Sequence, residues 1–235
     1  MTERDRGSLD RGANHLTIGP SGLAWDGTAL TIRIAERSAP LGRRLRGSIR
    51  VIPEAWTGAR FALDAAAQHH WCPLAPRARV ELAFDAPALR WSGAGYLDAN
   101  SGDIPLERSF RRWTWSRAGL SDGTAILYDV TPLDGAETSL ALLVDRAGGV
   151  VHMPPPPRVV LPRTGWRLAR ETRSDDAAAR VEQTLEDTPF YARSVLRTRL
   201  LGQDVTAMHE SLSLDRFQKP VVQAMLPFRM PRRLF

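Results

Sequence analysis

Six short runs in which apolar and polar residues alternate constrain the fold of this 235-residue chain more than any other feature. LTIRIAE (30–36), RARVELAF (77–84), ALRWSG (88–93), FRRWTWSR (110–117), AILYDVT (125–131) and SLALLVD (139–145) each carry the pattern of a strand with one buried face. Turn signals fall between them, with Asp-Gly at 26–27 and 122–123 and Gly-Gly at 148–149. Short strands at this density predict a mainly β protein, an antiparallel barrel or sandwich.

The rest of the chain is organised around that expectation. MPPPPR at 153–158 cannot enter a central strand or a helix, so it reads as a stiff connector between two β lobes of one unit spanning 1–235. SDDAAARVEQTLED (174–187) is the one predicted helix. Ser174 can cap it, acids occupy its first turn, and Val181 and Leu185 share a face. Residues 194–215 read as a hairpin turning at Gly202–Asp204. The final VVQAMLPFRMPRRLF mixes apolar and basic residues, which suits either a tail packed on the sheet with its arginines solvated or contact with a membrane interface.

Composition narrows the function classes. At 43% hydrophobic and 25% charged, the chain is that of a globular protein. The net charge is +6 and the sole lysine is Lys219, but basic residues are interspersed with acids and no nucleic-acid-binding signature is present. Cys72 is the only cysteine, so no internal disulfide can form, which fits a reducing compartment. The opening MTERDRGSLDR lacks the apolar core of a secretory signal, and no apolar run reaches the ~18 residues of a spanning helix. A cytoplasmic protein, soluble or peripheral to a membrane, is the expectation.

GAGYLDANSGD (93–103) is the stretch most suggestive of a site. It fails as a phosphate cradle, because its glycines lead into turn residues and no lysine follows. As a calcium loop starting at Asp98, it puts Gly102 at position five, Asp103 at six and Ser109 at twelve, where a ligand, a glycine and a glutamate are needed. His69, His70 and Cys72 have no second ligand cluster at useful spacing, so no metal is expected. Strand geometry remains. Residues two apart share a face, which pairs Tyr96 with Asp98, His69 with Trp71 and Trp113 with Trp115. If those faces converge, the result is an aromatic lumen holding one carboxyl and one imidazole, suited to a large apolar ligand and acid chemistry on it. Taken alone, the tryptophans read equally well as core, and Asp98 as a turn residue bonding its own backbone.

HHWCPLAPRARVEL (69–82), ALRWSGAGYLDANSGDIPLE (88–107), RRWTWSRA (111–118), TPFYARSVLRTRLLG (188–202), HESLSLDRF (209–217) and AMLPFRMPRR (224–233) resemble the carotenoid 1,2-hydratases, or hydroxyneurosporene synthases, of purple phototrophic bacteria. The resemblance runs nearly end to end. It implies a lipocalin-like, calycin-type fold and hydration of the terminal double bond of an acyclic carotenoid such as neurosporene or lycopene, with no cofactor. It implies roles for His69, Trp71, Tyr96 and Asp98, with Asp98 as proton donor, and Trp91, Trp113 and Trp115 are assigned to substrate binding. The partners implied are the carotenoid and water. Family members carry a further Trp- and Tyr-rich segment ahead of the point matching Met1, so that segment is expected to be absent here. A free aspartic acid, with a pKa near ~3.9, is ionised at neutral pH, so an acid role requires burial among the aromatics. A non-catalytic carotenoid or lipid binder would need the lumen but not Asp98, and an isoprenoid cyclase would use the acid while excluding water.

Overall fold

The computed structural model describes residues 4–38 and 42–226. In chain order the strands are β1 (Leu9–Arg11), β2 (His15–Ile18), β3 (Ser21–Trp25), β4 (Leu30–Arg37), β5 (Arg44–Pro53), β6 (Phe61–Ala62), β7 (His69–Ala86) and β8 (Ala88–Gly102). There follow β9 (Phe110–Gly119), β10 (Gly123–Pro132), β11 (Thr138–Asp145), β12 (Val150–His152), β13 (Arg158–Leu161), β14 (Arg170–Arg173), β15 (Arg180–Asp187), β16 (Tyr191–Leu200) and β17 (Gln203–Ser213). Two short helices, α1 (Leu214–Phe217) and α2 (Pro220–Met225), come last. All six alternating runs lie on strands, as their period requires.

The chain forms two compact units. The first takes Met1–Trp56 and Leu74–Asp98, the second Thr57–Pro73 and Ala99–Ala224. In the first, β1 to β5 form an antiparallel meander that continues onto the later residues of β7, with Val51 opposite Val80 and Ile49 opposite Leu82. Ala29, Val51, Ala75, Ala78 and Phe84 are its buried apolar side chains. In the second, β6 pairs with the start of β7, Phe61 opposite Trp71. A separate seven-stranded antiparallel sheet there runs β12-β11-β10-β9-β17-β16-β15. Among the described residues neither sheet closes on itself, so the barrel alternative gives way to open antiparallel sheets.

One face of the seven-stranded sheet is the main apolar core. Ala118, Leu127, Leu161, Leu196, Leu200, Val205 and Ala207 are buried together there, each leucine contributing about 1.5–3 kcal/mol. Along β16 and β17 that same face turns polar, with Ser194 opposite His209 and Ala192 opposite Ser211. The β13–β14 hairpin meets these groups through Arg170, whose Nη1 donates to Ser194 and Thr184 at 3.0 Å. Arg173 adds a two-pronged bond to Asp129, Nε to Oδ2 at 2.8 Å and Nη2 to Oδ1 at 2.8 Å.

The helix expected over 174–187 is absent, and Arg180–Asp187 is strand β15 instead. Ser174 caps nothing. Its hydroxyl donates to Asp176 and to the Arg199 carbonyl, both at 3.2 Å. Two irregularities in the β15–β16 register, between Val181 and Gln183 and between Thr184 and Glu186, break the alternation, and Val181 is half-buried while Leu185 is 40% exposed, so the two do not form one buried stripe. The 194–215 hairpin forms, but it turns at Leu201–Gly202. Both residues take positive φ, 50° and 74°, as a two-residue type I′ turn demands. The proline run joins β12 to β13 inside the second unit. Residues 227–235 of the basic, apolar tail lie outside the described residues.

Candidate functional site

In the first unit, β8 carries Trp91, Tyr96 and Asp98. The strand places Tyr96 and Asp98 on one face, and the Tyr96 hydroxyl donates to Asp98 Oδ2 at 3.1 Å. Both side chains are half-buried. The carboxyl is therefore oriented by a phenol but is less enclosed than a sealed aromatic lumen would make it. Trp91 is 52% exposed. A side chain at Gly93 would run into the Trp91 ring, and one at Gly95 into Val80. These glycines thus make room for the protein's own side chains.

The second unit holds His69, Trp71, Trp113 and Trp115. On β9 the two tryptophans share a face, and the register puts Trp115 opposite Tyr128 and Trp113 opposite Val130, so Tyr128 joins that face. Trp71, fully buried, stands edge-on to Tyr128 with ring centres 5.3 Å apart, and Trp113 meets the same ring at 6.2 Å. Phe61 lies against Trp71 at 5.8 Å and His152 against Phe61 at 5.6 Å. Sequence spacing put Trp113 and Trp115 on one face, as the register does, but missed Tyr128, the ring between Trp71 and Trp113. A Tyr inside the apolar run AILYDVT gives no signal that separates it from core.

His69 is buried, and its ring is held at both nitrogens. Nδ1 lies 2.9 Å from Asp64 Oδ2, and Nε2 lies 2.9 Å from the Ile104 carbonyl. A carbonyl only accepts, so Nε2 is the donor there. The ring edge packs on Phe110 at 4.8 Å. Asp64 also accepts the backbone N–H of Gln68 and of His69 at 2.9 Å each. Burial works to raise the Asp64 carboxyl, but the bonds from Gln68 and His69 and the attraction of the ring outweigh it, and its pKa is lowered. Asp64 was missed because LDAAAQ reads only as a turn.

The opposite face of the seven-stranded sheet has its own titratable centre. His209 Nε2 bonds Ser211 Oγ at 3.0 Å, while Nδ1 has no partner among the described residues. Burial, with the nearby Arg170 charge, lowers its pKa to about 3. Asp129 resists the upward push of burial through Arg173 and Ser139 and is likewise lowered. Among the described residues no three His, Cys, Asp or Glu side chains are close enough to share a metal ion, and no helix is long and apolar enough to cross a membrane.

Comparison with known proteins bears on what these groups do. The family model for carotenoid hydratase CrtC matches residues 1–235. The chain is 57% identical over 234 residues to the acyclic carotenoid 1,2-hydratase of Thiocapsa roseopersicina and 45% identical over 235 residues to that of Rubrivivax gelatinosus. These alignments take in 99% of the chain but 58% of each relative, so the chain spans well under two thirds of their length. The Rhodobacter capsulatus enzyme of the same name is 42% identical, with 84% of its length covered. Among solved structures, an AttH candidate from Nitrosomonas europaea superposes with a TM-score of 0.57 at 12% identity, covering 89% of this chain and 72% of that one. CghA bound to Sch210972 does so with a TM-score of 0.53 at 13% identity, over 85% and 70%. At such identity they speak for the fold alone, and they support the lipocalin-like expectation.

Proposed function

This chain belongs to the carotenoid hydratase family, and from that premise we propose that it adds water across the terminal 1,2 double bond of an acyclic carotenoid, giving the 1-hydroxy product. Neurosporene and lycopene are the substrate class. The observation that carries the reading is the Tyr96–Asp98 pair, a carboxyl oriented by a phenol at 3.1 Å, in a chain 57% identical to an acyclic carotenoid 1,2-hydratase.

The proposed cycle requires Asp98 in its neutral form. With Tyr96 donating to Oδ2, the transferable proton sits on Oδ1. It passes to the less substituted alkene carbon, whose π electrons form the new C–H bond and leave a tertiary cation at the dimethyl carbon. Water adds to that carbon through its lone pair and gives up a proton to the Asp98 carboxylate, which restores the acid. The sum is alkene plus water to alcohol, with nothing oxidised or reduced. His69 is not the base in this scheme, because Asp64 and the Ile104 carbonyl engage both its nitrogens. The resemblance also gives Trp71 a part in the reaction, and an aromatic face against a cation is worth up to ~2 kcal/mol when dry.

The test is Asp98→Asn, assayed by pigment analysis on lycopene in isotopically labelled water. The wild type incorporates labelled oxygen into a 1-hydroxy carotenoid, and the variant loses roughly 10²–10⁴ in rate. A variant that hydrates at the wild-type rate overturns the mechanism. Cyclised product without labelled oxygen would identify an isoprenoid cyclase instead, and lycopene bound unchanged would identify a binder.

A further inference from the structure

The β4–β5 hairpin of the first unit presents a one-sided row of arginines. In its register Thr31 is opposite Arg50, Arg33 opposite Ser48, Ala35 opposite Arg46 and Arg37 opposite Arg44. Directly opposed residues and residues two apart share a face, so Arg33, Arg37, Arg44, Arg46 and Arg50 all project from the same side. All five are exposed. The intervening positions, Ile32, Ile34, Leu45 and Ile49, take the other side, as strand alternation requires.

Neutralisation is sparse. The ion pairs here among the described residues are Arg4–Glu36 at 2.6 Å and Arg50–Asp26 at 3.9 Å. Glu36 is occupied further by the Ser21 hydroxyl at 2.5 Å. Arg33, Arg37, Arg44 and Arg46 are thus left without a carboxylate. Arg37, Arg44 and Arg46 line an open groove of about 530 Å³ together with the paired Arg4 and Glu36 and with Pro20, Ala35 and Leu45. Four unneutralised guanidiniums this close repel one another, and an external array of anions relieves that repulsion.

We propose that this arginine face docks the protein on the phosphate headgroups of an anionic phospholipid bilayer. The choice of occupant rests on the substrate class proposed above: an uncharged acyclic polyene partitions into hydrocarbon, so its enzyme must meet it at a bilayer surface. Planar, always-charged guanidiniums in a row match a field of phosphates better than a single soluble anion would fill the open groove.

Flotation of the purified chain with phosphatidylcholine vesicles, with and without phosphatidylglycerol, tests this. Wild-type protein binds the phosphatidylglycerol vesicles, not the neutral ones, and binding weakens as salt rises. Each arginine replaced by glutamine lowers partition by about 5-fold, so Arg37→Gln, Arg44→Gln and Arg46→Gln combined lower it by roughly 100-fold. An unchanged far-UV spectrum and melting temperature show that the triple variant is folded. Equal binding by the folded triple variant, or equal binding to neutral vesicles, overturns the proposal. So does tighter retention on duplex DNA than on the anionic vesicles at matched salt. Asp98→Asn floats as the wild type does, so failure of the hydration reading and failure of the docking surface give different results.

Discussion

His69 and Asp64 form a buried pair in which Nδ1 and Oδ2 are 2.9 Å apart, with the far ring nitrogen tied to the Ile104 carbonyl at the same distance. The pair joins the turn before β7 to the residues just after β8. A histidine held in this way fixes local backbone, and the proposed mechanism places the proton transfer on Asp98 instead.

Removing the Asp64 charge should therefore cost stability before it costs catalysis. Asp64→Asn leaves His69 facing an amide and should destabilise the fold by about 3 kcal/mol. The native carboxyl titrates below its unfolded value of ~3.9, so its stabilisation is present above about pH 4 and is lost as pH falls through the lower native pKa. Melting curves of wild type and variant from neutral to acid pH should accordingly converge below about pH 4. A gap that stays constant would show that the charge plays no part.

Tyr96→Phe isolates the other hydrogen bond. In the proposed mechanism the hydroxyl orients Asp98 without itself reacting, so its loss should slow hydration by about 5- to 10-fold, the worth of one bond near ~1 kcal/mol. Substrate KM should change little, and Asp98→Asn should be far slower than Tyr96→Phe. Equal losses in the two variants would place the reacting proton on the phenol.

How far these arrangements were legible in the sequence depends on what period two can carry. Strands β4, β7 and β9 to β11 keep an unbroken register over nearly all of the alternating runs and could be read directly, as could the shared faces of Trp113 with Trp115 and of Tyr96 with Asp98. Strand β15 could not, because a spacing of four between Val181 and Leu185 fits helix and strand alike, and its two irregularities disturb the alternation that would have told them apart. The turn at Leu201–Gly202 was offset because a leucine with φ of 50° has no sequence signature. Asp64 and Tyr128 are joined to His69 and Trp71 through space, and periodicity within one strand does not report cross-strand partners.

Trp71 separates packing from electrostatics. It is fully buried against Phe61 and Tyr128, so Trp71→Ala should cost about 3–5 kcal/mol through the cavity it leaves. Trp71→Phe keeps an aromatic face and should lose less of both stability and hydration rate per folded molecule. If the folded fractions of both variants hydrate lycopene equally slowly, Trp71 is a packing residue and the cation is stabilised elsewhere.

The last prediction concerns His209, on the sheet face away from the tryptophans. Its unfolded pKa is near ~6.5 and its native one is lowered to about 3 by burial and the Arg170 charge. The sign follows from proton uptake. Between those values the unfolded chain binds a proton that the native state refuses, so stability is full above about pH 6.5 and falls as the solution is acidified toward about pH 3. The limiting slope is ~1.4 kcal/mol per pH unit. His209→Gln can still bond Ser211 but cannot take up a proton, so denaturant midpoints should fall less steeply from pH 6.5 to 4 than in the wild type. Parallel slopes would show that His209 is not the group linking this fold to acid.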